Sequence, residues 1–307
     1  MVNQDILNGD SNDFNSDPRY NFKTRVLYNN FYSEILDDFN VDCSYSTEKE
    51  SLDYMSSLHF DFLSLFTINA QSLHAKFSEI KNFISHYERD NRGGSVDILC
   101  ISETWVKNIS SYNIEGYNLF GNSRLNGRGG GTAILIKNYI QAKQIMGFFV
   151  PNILECTLLE INISGKLKAL LVQIYRPNTH SNYNNREQID EFFVSLAELV
   201  EFIETFDIPK IICGDFNIDI LKSVLINDHS NTLLDFFSGC GYLQIVSRAT
   251  RIFNGSYSLI DHVFIKDILP KLVTTKVILN DLSDHFPVLS IFKLDNKKSK
   301  PPPSSPT

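Results

Sequence analysis

The sequence predicts an α/β protein whose sheets are antiparallel or mixed. Short apolar runs rich in β-branched residues recur between Phe62 and Leu294, each of strand length. Two longer segments, LHAKFSEIKNFISHYE and NREQIDEFFVSLAELVEFIE, interrupt them with apolar residues at helical spacing. Some runs are joined by turns and others through helices, unlike the regular alternation of a doubly wound parallel sheet.

Residues 1–60 are rich in Asn, Asp, Ser and Tyr, show little sustained periodicity, and are expected to form a mostly disordered acidic arm. Within it, RVLYNNFYSEILDD sets Leu27, Phe31 and Ile35 four apart. That is the spacing of a transient helix, a surface on which an unknown protein partner can dock. FLSLFTIN (62–69) reads as a strand, LHAKFSEIKNFISHYE (73–88) as an amphipathic helix, and SVDILCIS (95–102) as a buried strand. YNLFGNSR (117–124) and GTAILIKN (131–138) form a hairpin around NGRGGG. ILECTLLEINI (153–163) and KLKALLVQIY (166–175) are strands meeting at the turn Ser164-Gly165. The helix NREQIDEFFVSLAELVEFIE (185–204) leads into the strand PKIIC (209–213). A helix over HSNTLLDFFSG (229–239) precedes the short runs YLQIVS, SLIDHVFI and FPVLSIFKL. The domain is therefore placed at residues 61–294, and 295–307 at its end form a Lys/Pro/Ser-rich tail or linker.

With 307 residues, 43% of them hydrophobic, the chain can bury one large core. Its formal charge of −8 is concentrated in residues 1–60, which hold 11 acids and four bases. The rest is close to neutral, which argues against a protein that clamps phosphates with a broad basic surface. An enzyme whose bound metal supplies positive charge locally remains open. No run approaches the roughly 18 apolar residues of a membrane span. The first residues lack the layout of a secretory signal, so an intracellular protein without a membrane partner is expected. The five cysteines are scattered without a CxxC pair and read as buried free thiols.

Chemistry-bearing side chains gather at the ends of the apolar runs. FTIN ends at Asn69, ILCISE at Glu103 and LLVQIY at Tyr175. KIICGDFN reaches Asp215 and Asn217, SLID holds Asp261, and LSDH supplies Asp284 and His285. One rim carrying this set suits metal-assisted hydrolysis of a phosphate ester. Carboxylates offer the hard oxygens that Mg²⁺ prefers, Asn and Tyr bind phosphoryl oxygens without adding charge, and a histidine held by an aspartate stays protonated. Each residue alone also reads as local structure. Asp215-Phe216-Asn217 suits an Asx turn, Tyr175-Arg176-Pro177 a Pro turn, and Ser283-Asp284-His285 a cap. The GRGGG segment lacks the Lys-Ser/Thr and helix start of a phosphate cradle. It reads as a turn, with Arg128 at most a DNA-backbone contact.

In order, TINAQSL, ISETW, GRGGGTAILIK, IYRPN, GDFNIDI, ATRIFNGSYSLIDHVF and SDHFPVL resemble the endonuclease/exonuclease/phosphatase superfamily. Within it, they resemble the apurinic-like endonuclease domain at the front of LINE-type non-LTR retrotransposon polyproteins. The resemblance covers about residues 60–294 and implies a four-layer α/β sandwich of two packed mixed β-sheets flanked by helices. It implies a metal site at Asn69, Glu103 and Asp284, with Glu103 the principal Mg²⁺ ligand and Mn²⁺ a substitute. It implies that Tyr175 and Asn217 meet the scissile phosphate, that Asp215 activates water, and that Asp261 orients His285. Thr250 falls at a DNA-contacting position, and Ser283 precedes Asp284 as in the family. Gln71 departs from the pattern, standing where many relatives are acidic or carry Asn. The implied activity is nicking of DNA to leave a 3′-hydroxyl that primes reverse transcription. A reverse transcriptase module in a longer polyprotein is then an expected partner, the chain being a fragment, a truncated copy or a stand-alone descendant. Two other readings stand beside it: a repair nuclease, deadenylase or lipid phosphatase of the same superfamily, and a catalytically decayed interaction module.

Overall fold

The computed structural model describes residues 42–88, 94–122, 129–145, 149–163, 165–177, 185–222 and 229–294, together with Asn12 and Asn15. The chain runs β1 (Asp42–Thr47), α1 (Glu48–Ser57), β2 (Phe62–Asn69), α2 (Leu73–Glu88), β3 (Ile98–Ser102), β4 (Tyr117–Asn122) and β5 (Thr132–Lys137). It continues through β6 (Gln141–Gln144), β7 (Phe149–Val150), β8 (Leu154–Ile163), β9 (Leu167–Tyr175), α3 (Asn185–Glu204) and β10 (Lys210–Asp215). After α4 (His229–Gly239) come β11 (Leu243–Gln244), β12 (Arg251–Phe253), β13 (Ser256–Ser258), β14 (Asp261–Lys266), β15 (Val273–Leu279) and β16 (Val288–Lys293). One seven-stranded sheet has the order β1-β15-β16-β2-β3-β5-β4, and the other runs β11-β14-β10-β9-β8-β6 with β7 added on β8. Both are mixed: β2 pairs with β3 and β9 with β10 in parallel, while most neighbours are antiparallel. Among the described residues, no helix is long and apolar enough to cross a membrane.

The period of two along each strand divides the core. Leu63 and Leu65 of β2 face the second sheet, whereas Phe66 and Ile68 join a core with Ile80, Phe83 and Tyr87 of α2. Phe192, Leu196 and Leu199 of α3 and Leu233 and Phe237 of α4 pack against the second sheet. The layers are α1 with α2, first sheet, second sheet, and α3 with α4, the sandwich that the sequence resemblance implies.

Parity also decides where polar residues go. Asn69 shares the face of Leu63 and Leu65, and Ser102 that of Ile98 and Cys100, so both project between the sheets. Register sets Asn69 opposite Ser102 and Ser102 opposite Thr132. In the second sheet it sets Glu155 opposite Tyr175, Tyr175 opposite Asp215, and Asp215 opposite Asp261. One end of the inter-sheet core is therefore a polar row built from both sheets. Gln173 Nε2 donates to Ser102 Oγ (3.1 Å) and the Thr132 and Thr157 hydroxyls pair (2.8 Å), which ties the sheets together at that end.

Asp215 reaches this row only because a glycine precedes it. Gly214 has φ +131°, and a Cβ there would lie 1.9 Å from the carbonyl oxygen of Ile174 on the neighbouring strand. Gly214→Ala must push β9 and β10 apart, and is expected to cost on the order of 3 kcal/mol, read as a lowered urea midpoint.

The structure differs from the sequence reading in three places. Residues 42–57, assigned above to the arm, form β1 and α1, with β1 paired in parallel to β15. Composition concealed them because β1 buries only Cys43 and Tyr45 as apolar side chains, while α1 starts on the capping box of Thr47 and Glu50. Strand β15 is not assigned from the sequence; its burial alternates, with Thr274 and Lys276 half-buried between Val273, Thr275 and Val277. The hairpin of β12 and β13, closed at Asn254-Gly255 with φ +49° and +74°, lies between the runs YLQIVS and SLIDHVFI, where no strand is assigned from the sequence. The helical patch at Leu27, Phe31 and Ile35 and the tail 295–307 lie outside the described residues. Asn15 is described: its side-chain amide donates to the Tyr45 carbonyl (3.1 Å) and accepts from the Tyr45 N–H (2.6 Å), extending the edge of β1.

Candidate active site

The polar row gathers its functional groups from both sheets. At its centre, the Asn69 amide nitrogen donates to Glu103 Oε1 and to Asp215 Oδ2, each at 2.8 Å. Asn69 Oδ1 accepts from the backbone N–H of Gln71 (3.1 Å). Glu103 Oε2 accepts from the indole N–H of Trp105 (3.1 Å). Tyr175 is buried, in the field of Glu103 and Asp215. Burial and then the charges of Glu103, Asp215 and Glu155 push its pKa far above the ordinary range, so it stays a neutral donor.

The strand end that carries Asp215 is braced by its neighbours. Asp215 Oδ1 accepts from the Asn217 N–H (2.9 Å), so the Asx turn suggested by the sequence is present and itself aims the carboxylate. Arg176 donates from Nε to the Phe216 carbonyl (2.7 Å) and from Nη2 to the Asn217 carbonyl (2.9 Å). The Asn217 amide donates back to the Arg176 carbonyl (2.8 Å). Arg176 was read only as part of a turn; its role is visible from the contacts, not from the motif. Asp215 is pushed up to about 7, first by burial and then by Asp261, with Glu103 adding to it and His285 partly opposing it.

Asp261 and His285 form the second unit. His285 Nδ1 lies 2.9 Å from Asp261 Oδ2. Burial works against the charged imidazole, but Asp261, Asp215 and Asp284 outweigh it and lift His285 to about 9. Thr250 Oγ1 donates to the same Asp261 oxygen (2.6 Å) and accepts from the Asp261 N–H (3.1 Å). Thr250 was expected to touch DNA, but its side chain is fully buried and its hydroxyl is committed to Asp261. It positions the aspartate. Ser283 likewise turns inward: its hydroxyl accepts from the His285 N–H (3.0 Å) and so fixes the turn that presents the imidazole.

Asp284 is held by Gln71 and Arg251. Its Oδ1 accepts from Gln71 Nε2 (2.6 Å), and its Oδ2 takes two donors of Arg251, at 2.7 and 2.5 Å. Arg251 was not singled out, because nothing in TRIF distinguishes it until the hairpin of β12 and β13 brings it over Asp284. Gln71 thus contributes by binding a site carboxylate. Arg128 lies outside the described residues. The glycines after it permit close approach: Gly131 has φ +91°, and a Cβ there would meet Thr104 Oγ1 at 2.2 Å. Glu155, also missed, is fully buried and accepts from the Gly131 N–H (2.5 Å).

A divalent cation suits the donor set. Glu103 and Asp215 converge on one amide, and Asp215, pushed up to about 7 first by burial and then by Asp261 and Glu103, stands among negative charge that a cation relieves. Glu103 and the oxygen end of Asn69 would hold it. Asp215, Asp261 and His285 also place one ligand atom each within 4.8 Å of one another. Within those three, His285 is paired with Asp261.

One buried base near the site is structural. His262 packs between Gln244 Nε2 (2.8 Å) and the Ile218 carbonyl (2.9 Å), and burial depresses it to about 4. Between pH 6.5 and 4 the unfolded chain binds the extra proton, so stability falls as pH falls across that window. The expected loss is roughly 3 kcal/mol, measured by urea titration at stepped pH and flattened by His262→Gln.

Similarity to known proteins agrees with this geometry. The fold of a 3′-5′ exonuclease from Neisseria meningitidis superimposes with a TM-score of 0.58 at 16% identity, covering 75% of this chain and 100% of that one. An AP endonuclease from Leishmania major gives 0.60 at 14% identity, covering 85% and 98%. The endonuclease domain of TRAS1, a telomere-specific non-LTR retrotransposon, gives 0.56 at 14% identity, covering 76% and 99%. A search of curated proteins finds no match. The profile of the Endonuclease/Exonuclease/phosphatase family matches residues 66–285, a span running from β2 to His285, and the chain belongs to that family.

Proposed function

We propose that the protein is a Mg²⁺-dependent DNA endonuclease of retrotransposon origin, hydrolysing a phosphodiester to leave a 3′-hydroxyl nick. The observation that carries this reading is one buried cluster in which Asp215 stands beside a His285 held 2.9 Å from Asp261, with Asp215 pushed up to about 7 and His285 up to about 9. The first accepts a proton near neutral pH while the second keeps its own. In the mechanism, Asp215 orients an attacking water and takes its proton. His285, held by Asp261, donates to the phosphate as charge develops, and the neutral hydroxyl of Tyr175 adds a second donor. Asn217 contributes an uncharged amide beside Asp215. When bound, the cation neutralises charge on the phosphoryl oxygens as a Lewis acid.

DNA as the substrate is supported by the likeness to the TRAS1 and Leishmania folds and by the motif wording SLIDHVF and SDHFPVL. A reverse transcriptase module is then the natural partner of the product end. The test is a plasmid-nicking assay with Mg²⁺, followed by mapping of the cut ends. Supercoiled plasmid is expected to become an open circle with 3′-hydroxyl termini, and EDTA should silence the reaction completely. Parallel assays on abasic duplex, poly(A) and phosphoinositide separate the other substrates of the superfamily. Cleavage of the lipid alone, or turnover that persists in EDTA, overturns the proposal.

A further inference from the structure

Two residues after Glu103 stands the only tryptophan of the chain. Trp105 is 42% exposed, although an aromatic ring of this size normally gains by burial. Its indole N–H is pinned to Glu103 Oε2 at 3.1 Å, which fixes one edge of the ring at the site and leaves ring surface open to solvent. The backbone that holds it there is strained. Glu103 has φ +55° and Trp105 φ +54°, a region that bulky residues rarely enter. Such strain costs about 1–3 kcal/mol per residue and persists only where neighbours enforce it. Here Glu103 and Thr104 carbonyls accept from Ser72 and Leu73, and the Thr104 and Trp105 N–H groups donate to Gly131 and Gly130. Gly129 lies beside the indole, with φ +88°.

We propose that Trp105 is a substrate-binding residue, its exposed indole face stacking on a nucleobase beside the scissile phosphate while its N–H keeps Glu103 turned into the site. The assignment rests on the polynucleotide reading above and names the group that meets a base. Stacking suits this protein because residues 61–307 are close to neutral and have few cations to spare for a phosphate backbone. Every base has a π-face, so such a contact adds affinity without demanding sequence.

The test is binding of a fluorescein-labelled single-stranded oligonucleotide, followed by anisotropy in EDTA so that neither metal nor cleavage contributes. Trp105→Leu is expected to weaken binding about tenfold, and Trp105→Phe, which keeps a ring, by less than about threefold. In the parent protein the lone tryptophan reports directly: its emission should be quenched as unlabelled oligonucleotide saturates the site. Equal binding by Trp105→Leu, or unquenched emission at saturation, overturns the stacking role while the nuclease reading stands. If Trp105→Leu fails to fold, the quenching alone decides. A parent protein that binds no oligonucleotide but nicks plasmid overturns the role of Trp105 alone, and one that does neither overturns the polynucleotide reading with it.

Discussion

Asp215→Asn is expected to abolish nicking, by about a thousandfold or more, while making the metal-free protein more stable. Asp215 is buried against Asp261 and Glu103, and that environment holds its pKa near 7 instead of the ordinary carboxylate value. Because the folded form binds its proton more tightly than the unfolded chain, Asp215 subtracts stability as pH rises from about 4 to 7. Removing the charge lifts that burden, roughly 3 kcal/mol at neutral pH, so thermal unfolding in EDTA should move up as activity disappears. Asparagine keeps the side-chain shape and can still accept from the Asn217 N–H. Near-normal turnover with Mg²⁺ would show that another group takes the proton.

His285→Ala should be equally inactive but opposite in its effect on the fold. The imidazolium is the cation between Asp261, Asp215 and Asp284, and without it Asp261 is a buried carboxylate left with the Thr250 hydroxyl. Leaving a buried charge without its partner typically costs about 3 kcal/mol or more. The raised pKa means that His285 contributes stability in full below its ordinary value of 6.5 and loses it as pH rises through about 9. Calorimetry at stepped pH should show that alkaline decline in the parent and not in His285→Ala. Activity follows the same pair: the rate rises as Asp215 ionises through about 7 and falls as His285 deprotonates through about 9. A bound cation should draw the acidic limb lower, since positive charge favours the carboxylate.

Much of this site was legible before any fold was known. Asn69, Tyr175, Asp215 and Asp261 each stand at a strand end, and apolar runs with β-branched residues mark such ends plainly. Even the modest local readings proved useful. The Asx turn at Asp215 and the serine cap at Ser283 are both formed, and each aims a residue of the site. Less was legible where apolar signal is thin. Strand β1 with its sequence DCSYST and the three-residue strands of the Arg251 hairpin are held by pairing, which leaves little trace in composition.

The family resemblance implied the four-layer sandwich; from its own residues the sequence determined an α/β class with mixed sheets, the period-two faces of the central strands, and which chemical groups stand at their ends. These are local properties, set by side-chain alternation and turn chemistry within a few residues. The tertiary structure decided what each group touches. It joined Asn69 to Asp215 across 146 positions and Thr250 to the buried Asp261, and gave Asp284 to Arg251 and Gln71. Those contacts depend on register between strands and on the approach of two sheets, distances that no local pattern encodes. The pKa values of Asp215 and His285 follow from the same approach, because burial and neighbouring charge exist only once both sheets have closed.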